Sequence, residues 1–186
     1  ILNVAAACFA GQSYPATSMN HIAAACGTSK ARLYHYYESK EAILFDLLDR
    51  YTQKLLLIIG QVEATAQRRA LDERASLHEL IRAFLREYET SATRHAALLG
   101  STQFLSEQQR EVILDCQRDV VAAVTRFLRR AYPDRLNEHN QTAIAMTLFG
   151  VINWTFTWLR PGGPLSYTAF ADEVIALLDN GLGGTP

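Results

Sequence analysis

Apolar residues recur along this chain with the spacing of one face of an α-helix, and no stretch alternates apolar and polar residues as a half-buried strand does. The pattern predicts an all-α fold of about nine helices. Three short helices are expected first: one ends near Gly11, the next runs from an N-cap at Thr17 or Ser18 to about Cys26, and the third covers 30–37.

Longer helices are expected in the rest of the chain. Ser39 is a predicted N-cap for a long amphipathic helix, and the polar stretch 61–76 is expected to include a loop. Apolar positions at helical spacing then predict a helix over 77–88. Another is expected from a cap at Ser106 to Pro133, which ends it because proline lacks a backbone N–H.

The last two helices are apolar on more than one side. Residues 140–159 are apolar nearly all round, so we expect a helix with no solvent face, and prolines and glycines within 160–164 separate it from the final helix. A chain of this size has too little remaining mass to cover both, which predicts packing against a second copy. The residues expected in this dimer interface are Phe156, Phe170, Val174 and Leu178.

The segment 17–34 has the pattern of a helix-turn-helix. Ile22 and the alanines beside it allow a second helix to approach closely, and Gly27 allows the sharp turn that sets two helices near a right angle. On the second helix, Leu33 and Tyr37 lie four residues apart and are expected to face the core.

The remaining side chains of the second helix suit a DNA major groove. Arg32 can pair with a guanine edge and Ala31 can pack on a thymine methyl, whereas hydroxyl groups and the Lys40 ammonium suit phosphate oxygens. The alternative for Tyr34, Tyr36 and Tyr37 is a place in the core, yet three tyrosines so close together on one helix cannot all face inward. The alternative for the basic residues is an ordinary solvated charge. The residues predicted to contact double-stranded DNA are Thr17, Ser18, Thr28, Ser29, Lys30, Ala31, Arg32, Tyr34, His35, Tyr36 and Lys40.

Composition is that of a globular protein and does not by itself suggest nucleic-acid binding. Of the 186 residues, 49% are hydrophobic and 20% are charged, and the formal net charge is only -1. Residues 1–40, however, contain Lys30, Arg32 and Lys40 against the single acid Glu38. A surface that binds phosphate is therefore expected to be local and close to the N-terminus.

Residues 33–41, Leu-Tyr-His-Tyr-Tyr-Glu-Ser-Lys-Glu, follow the glycine turn and serine cap in the order of the TetR-family DNA-binding signature, which residues 1–48 resemble. The resemblance implies a three-helix helix-turn-helix domain over 1–48 and a ligand-binding and dimerisation domain over 49–186. It implies a homodimeric repressor of palindromic operator DNA. The family pattern assigns Tyr34, Tyr36 and Lys40 to the DNA backbone, and Lys30, Ala31, Arg32 and His35 to the base-facing side.

The sequence departs from the family pattern at a few positions, and these departures are not expected to change the fold. Cys26, Thr28 and Tyr37 stand where alanine, valine and phenylalanine are usual, and each is close in size to the usual residue. The chain begins at Ile1, without methionine and within a helical pattern, so we expect residues to have preceded it. Basic N-terminal arms add DNA contacts in this family, and the contribution of such an arm stays open.

Residues 148–163 resemble a segment of TetR-family regulators whose effectors are CoA thioesters of fatty, aromatic or steroid-derived acids. The resemblance implies a small hydrophobic effector, an acyl-CoA, and control of a catabolic operon. Asn153 needs a partner if buried, which a ligand carbonyl or another side chain can supply. The effector-site candidates are Tyr88, Phe104, Phe149, Asn153 and Trp154, with core or dimer packing as the alternative for the aromatic residues.

Catalysis has little support in the sequence. We find no nucleophile elbow, phosphate-binding glycine loop or paired carboxylates, so we expect no catalytic residues and no cofactor. The alternative function is a helical carrier or enzyme for acyl compounds that does not bind DNA. Scattered histidines and three widely spaced cysteines predict neither a metal site nor a disulfide. Lacking a membrane-spanning apolar run or signal peptide, the chain is expected in the cytoplasm with no membrane partner.

Overall fold

The computed structural model describes residues 1–182, and every regular element in that range is helical. The α-helices are α1 (Leu2–Gln12), α2 (Met19–Ala25), α3 (Lys30–Tyr36), α4 (Lys40–Arg69), α5 (Glu73–Thr90), α6 (Ala92–Ser101), α7 (Glu107–Ala131), α8 (Gln141–Asn153), α9 (Thr155–Trp158) and α10 (Tyr167–Leu182). A single 3-10 turn, Thr102–Phe104, lies between α6 and α7. Because α9 is only a four-residue turn, the prediction of an all-α fold with about nine helices is confirmed.

The chain folds into two compact units. The first comprises Ile1–Gln53 and Ser91–Cys116, and the second comprises, among the described residues, Lys54–Thr90 and 117–182. The expected helix-turn-helix domain over 1–48 lies within the first unit. That unit also contains a later stretch of chain that the sequence pattern assigns to the ligand-binding domain, so the domain boundary stays a prediction.

Small residues let the helices of the first unit pack closely. α1 packs against both α2 and α6, and α2 packs against α3. Ala5 and Ala6 on α1 have no exposed surface, and an alanine side chain allows a neighbouring helix to approach closely. A hydrogen bond of 3.0 Å from Arg94 Nη2 to Asn3 Oδ1 adds a polar tie between α6 and α1. The helix-turn-helix therefore rests on a base formed by α1 and α6.

In the second unit α5 packs against α10 and the α9 turn. The Tyr132 hydroxyl donates to Asp179 Oδ1 at 2.6 Å, and His78 Nε2 lies 3.2 Å from the same oxygen. Burial raises the pKa of Asp179, but the hydrogen bonds from Tyr132 and His78 outweigh burial and hold this pKa below its usual value. One carboxylate thus ties α10 to both α5 and the end of α7.

The polar stretch 61–76 forms more helix than we expect from its polarity. α4 continues to Arg69, and only residues 70–72 separate it from α5, with Ala70 at a positive φ of 50°. Most residues of this stretch are alanine, glutamine, glutamate and arginine, which have high helix propensity. A loop is present, as predicted, but it is shorter than the polar stretch.

The apolar stretch 140–159 is not one continuous helix. α8 ends at Asn153, and α9 begins after Trp154. Met146, Trp154 and Trp158 are 52%, 62% and 48% exposed, so the single chain leaves part of this apolar surface uncovered, and its burial against a second copy stays a prediction. An apolar helix surface stays exposed where the other helices of its own chain do not reach it.

No helix within residues 1–182 combines the length and the apolar character needed to cross a bilayer. In the same range, no group of three or more His, Cys, Asp or Glu side chains comes together as the ligands of a metal ion do. Cys8, Cys26 and Cys116 are not joined by a disulfide.

Two glycines should respond in opposite directions to alanine. Gly27, between α2 and α3, has a φ of 64° with no atom within 4 Å of an added Cβ, so Gly27→Ala should cost about 1–2 kcal/mol through backbone strain alone. Gly60 lies inside α4 with the same free space, so Gly60→Ala should stabilise by about 0.5–1 kcal/mol. Thermal unfolding followed by circular dichroism measures both, and shifts of the same sign would contradict the expectation.

Candidate nucleic-acid interface

A tight turn at Gly27 joins α2 to α3. The backbone N–H groups of Gly27 and Thr28 donate to the carbonyl oxygens of Ala24 and Ala23, each at 3.0 Å, and so satisfy groups at the end of α2. The left-handed φ of 64° at Gly27 then turns the chain into α3, a conformation that costs glycine little. The predicted helix-turn-helix connection is therefore present.

Serine side chains cap the two helices of this motif. Ser18 Oγ accepts a hydrogen bond from the backbone N–H of His21 at 3.2 Å, and Ser29 Oγ accepts one from Arg32 at 3.2 Å. Ser18 rather than Thr17 is thus the N-cap of α2. Both serines are exposed, and because the cap uses the hydroxyl oxygen as an acceptor, each O–H can still donate to a phosphate oxygen.

α3 turns one side chain inward and six outward. Leu33 has no exposed surface, whereas Tyr34 and Tyr36 are 44% and 59% exposed. The expectation that not all three tyrosines face inward is confirmed. The other exposed residues of α3 are Lys30, Ala31, Arg32 and His35. Half-buried Thr28 adjoins them at the turn.

The exposed surface of α3 combines cations with aromatic rings. Within residues 1–182, neither Lys30 nor Arg32 forms an ion pair. Lys30 Nζ lies 5.7 Å from the centre of the Tyr34 ring, and the rings of His35 and Tyr36 meet edge to face at 5.6 Å. Both cations are therefore available to an external anion such as a phosphate group.

Tyr37 connects α3 to α4 through its hydroxyl group. The hydroxyl donates to Asp46 Oδ2 at 2.5 Å, while Arg50 Nε donates to Asp46 Oδ1 at 2.7 Å. Burial, followed by the interaction with Asp46, raises the pKa of Tyr37 to about 12, so the hydroxyl stays a hydrogen-bond donor to Asp46 well into the alkaline range. Tyr37 is half-buried, and it acts as an anchor of α3.

Thr17 and Lys40, both predicted to contact DNA, donate hydrogen bonds within the protein. Thr17 is 2% exposed and its hydroxyl donates to the carbonyl oxygens of Ser13 and Cys8, at 2.8 and 3.2 Å. Half-buried Lys40 donates from Nζ to the carbonyl oxygens of Tyr14 and Thr17, each at 2.7 Å. The buried Thr17 side chain has no surface to offer DNA, so we leave it out of the contacts proposed below.

The predicted effector residues are only partly brought together. In the second unit, the buried Tyr88 hydroxyl donates to Asn153 Oδ1 at 3.1 Å, so the amide that needs a partner has one within the protein. Burial raises the pKa of Tyr88 well above its usual value, which keeps the phenol neutral. Phe149 is buried in the same unit.

The other two effector candidates lie in different surroundings. Trp154 is 62% exposed and meets Phe156 edge to face at 5.8 Å. Phe104 belongs to the first unit, where its ring stacks on Tyr14 with centres 4.9 Å apart and an interplanar angle of 22°. For Phe104 the contact with Tyr14 is a structural role that its position in the sequence does not indicate.

Comparison with known proteins decides the family. Residues 1–47 match the family described as "Bacterial regulatory proteins, tetR family", and residues 70–182 match "Tetracyclin repressor-like, C-terminal domain". The chain belongs to the TetR family. It is thus a helix-turn-helix transcriptional regulator of the ligand-responsive repressor type.

Individual proteins of known name or structure resemble this chain along nearly its whole length. The HTH-type transcriptional repressor KstR2 of Mycolicibacterium smegmatis is 24% identical over 98% of this chain and 88% of its own. The crystal structure of a TetR-family regulator from Bordetella parapertussis 12822 is 36% identical, with a TM-score of 0.90 over 100% of this chain and 95% of its own. AibR, in complex with isovaleryl coenzyme A and operator DNA, is 25% identical with a TM-score of 0.78, covering 95% of this chain and 94% of its own.

The predicted TetR-family dimer interface needs one correction. Val174 is 2% exposed and belongs to the core of its own chain, so it has almost no surface to offer a second copy. Leu177, one helical turn further along α10, is 69% exposed. Apolar spacing identifies both as helix-face residues but cannot tell which face the chain itself covers. Phe156, Phe170 and Leu178 are half-buried, and the Phe170 ring packs edge to face against Trp158 at 5.2 Å.

Sequence reasoning missed a charged cleft in the second unit. The cleft has a volume of about 380 Å³ and is lined by residues of α4 and α5. Lys54 Nζ lies 2.7 Å from Glu87 Oε2, and Arg86 Nη2 lies 2.7 Å from Glu79 Oε1. Lys54 and Glu87 lie on different helices, so no local spacing connects them. The one sign of this pair is that Glu87 is buried, since a glutamate is rarely buried without a partner.

Proposed function

We propose that this TetR-family chain binds palindromic operator DNA as a homodimer and is released when an acyl-CoA thioester binds its second unit. The observation that carries the proposal is the one-sided exposure of α3, which buries Leu33 and leaves two cations and two tyrosines outside. A helix with that surface fits a major groove, where base edges carry the sequence code.

Each predicted DNA contact other than Thr17 and Lys40 has a proposed role. Arg32 pairs with a guanine, while Ala31 and His35 lie along the same groove. The family pattern assigns Lys30 to the base-facing side, but its ammonium lies beside the Tyr34 ring, and we propose that it reaches a phosphate at the groove edge instead. The remaining proposed phosphate donors are the hydroxyl groups of Ser18, Thr28, Ser29, Tyr34 and Tyr36. In this proposal the base contacts recognise the operator sequence, and the phosphate contacts position the protein on the DNA backbone.

The exposed apolar residues of α8, α9 and α10 support the dimer. Trp154, Trp158 and Leu177 are between 48% and 69% exposed. Leaving this apolar surface in contact with water is unfavourable, and burial against a second copy removes that free-energy cost. A two-fold dimer presents two copies of α3, and a separation of about 34 Å, one turn of DNA, matches two half-sites. The operator is therefore proposed to be palindromic.

The effector class is supported by relatives and by a polar contact. AibR carries isovaleryl coenzyme A together with operator DNA, and KstR2 is a repressor of the same family. The Tyr88 hydroxyl donates to Asn153 Oδ1, and the Asn153 amide nitrogen makes no hydrogen bond within residues 1–182, so its N–H groups can donate to a thioester carbonyl. Release requires that the effector bind the DNA-incompetent state several kcal/mol better than the DNA-bound state.

Substitution of a single arginine, Arg32, tests the proposed DNA-binding surface. On an operator selected from random duplexes by the wild-type protein, Arg32→Ala should weaken binding by about 1–3 kcal/mol for each subunit and relax preference at one base pair in each half-site. Arg126→Ala, an exposed arginine of α7 in the second unit, is the matched control and should leave binding unchanged. Fluorescence anisotropy measures both. Failure of the wild type to bind duplex DNA, even at low salt, would favour the carrier function instead.

The dimer surface is tested by placing charge on α10. Leu177→Glu should halve the mass in sedimentation and abolish operator retention, because an interface cannot bury an unpaired carboxylate without large cost. Leu57→Glu on α4 changes a leucine that is 60% exposed and should leave the mass unchanged. A dimer that survives Leu177→Glu would remove this residue from the interface.

The effector class is tested by ligand-induced stabilisation. An acyl-CoA at 100 times its Kd should stabilise the protein by about 2.7 kcal/mol, raise its Tm and lower operator affinity, while coenzyme A alone should do neither. Isovaleryl-CoA and longer, aromatic or steroid-derived acyl-CoA thioesters form the panel. Asn153→Leu should remove the response. If every thioester leaves both Tm and operator binding unchanged, the acyl-CoA class is wrong.

A further inference from the structure

We propose that Lys40 and Phe104 are positioning residues for DNA binding: they hold the turn between α1 and α2 in place and do not themselves contact DNA. This inference rests on the proposed function. It departs from the family pattern for Lys40, which assigns the corresponding lysine to the DNA backbone, and it gives Phe104 a role outside the effector site.

The turn between α1 and α2 needs to be held from outside. Ser13 at its start has a φ of 68°, a left-handed conformation that is strained for a residue other than glycine. The turn ends at Ser18, the N-cap of α2 and a proposed phosphate contact. Any change in the path of this turn therefore moves the first half of the helix-turn-helix.

The Lys40 ammonium is fully engaged by that turn. An ammonium group has three N–H donors. Nζ lies 2.7 Å from the Tyr14 carbonyl oxygen, 2.7 Å from the Thr17 carbonyl oxygen, and 4.2 Å from the centre of the Tyr14 ring. The two carbonyl groups and the aromatic face thus give the ammonium three partners, as many as it has N–H donors. To bind a phosphate, Lys40 has to give up one of these partners.

Burial agrees with this geometry. Lys40 is half-buried, and burial lowers the pKa of its ammonium. The two carbonyl groups that it binds belong to a turn whose central aromatic residue, Tyr14, is only 8% exposed. Lys30, in contrast, is exposed and makes no hydrogen bond within residues 1–182. The two lysines therefore offer a matched pair, one committed to the protein and one available to DNA.

Phe104 holds the same turn through the Tyr14 ring. The two rings stack at 4.9 Å, and the Phe9 ring lies 5.1 Å from Tyr14 at an angle of 57°. Tyr14 is thus packed between α1 and the 3-10 turn that contains Phe104. Aromatic pairs of this kind contribute beyond simple burial of area.

A second tie connects the beginning of α4 to the residues just after Phe104. Glu41 Oε1 accepts a hydrogen bond from the backbone N–H of Ser106 at 2.8 Å. Lys40 and Glu41 are adjacent, so one end of α4 is bonded to the α1–α2 turn and to the start of α7. The position of Tyr14 is consequently fixed from two sides, by Lys40 and by Phe104.

Salt dependence separates positioning from phosphate contact. Binding weakens as salt rises, so log K against log salt has a negative slope. Removing a phosphate contact reduces the magnitude of that slope by about 0.9 for each subunit, because one fewer counterion is released. Lys30→Met should show this loss. Lys40→Met should weaken binding about tenfold, since it leaves two carbonyl groups without their donor, while the slope stays that of the wild type. A Lys40→Met slope reduced as in Lys30→Met would overturn the inference.

Variants of Phe104 test the inference independently of Lys40. Phe104→Ala should weaken operator binding at an unchanged salt slope, and Phe104→Tyr should restore it because the stacked ring is retained. Tyr14→Phe keeps both the ring and the carbonyl group and should bind as the wild type does. Wild-type affinity in Phe104→Ala, or a loss that Phe104→Tyr fails to rescue, would overturn the role of Phe104.

The outcomes distinguish this inference from the function on which it rests. If the wild-type protein shows no salt-dependent binding to duplex DNA, the proposed function fails and the inference fails with it. If the wild type and Lys30→Met behave as expected, but the salt dependence of binding also becomes less steep in Lys40→Met, only the inference fails. Circular dichroism of every variant confirms that the helical fold is intact, so that a lower affinity reports on the turn.

Discussion

The direction of α3 depends on the burial of one side chain, that of Leu33. In a helix of seven residues, a single fully buried leucine decides which side faces the protein and which six residues face outward. Burial of a leucine stabilises by about 1.5–3 kcal/mol, and turning the helix would expose it while burying a lysine or an arginine. The Gly27 turn and the Ser29 cap then set where this outward face begins.

The helix-turn-helix could be predicted from sequence because its determinants are local. Ser29 caps a backbone group three residues away, and Gly27 acts through its own φ. The roles of Lys40 and Thr17 could not be predicted in the same way. Lys40 binds carbonyl groups 26 and 23 residues earlier in the chain, and no periodicity indicates that a lysine at a helix start folds back onto them. A family signature records the residue type but not its partner.

The second unit shows a different limit of sequence patterns. Helical spacing correctly placed α5 and α10, yet it could not distinguish Val174, buried in its own chain, from exposed Leu177. Both positions satisfy the same apolar period, and only the packing of α10 against α5 separates them. For the effector site, the sequence indicated that Asn153 needs a partner, but the identity of Tyr88 follows from the fold.

The central claim, that α3 lies in the major groove, is tested most directly by dimethyl sulfate footprinting on a selected operator. The reagent methylates guanine N7 in the major groove and adenine N3 in the minor groove. We expect protection of guanine N7 in two half-sites about one DNA turn apart, with one guanine in each half-site losing protection in Arg32→Ala. Protection confined to adenine N3, or full reactivity of every guanine in a bound complex, would contradict it.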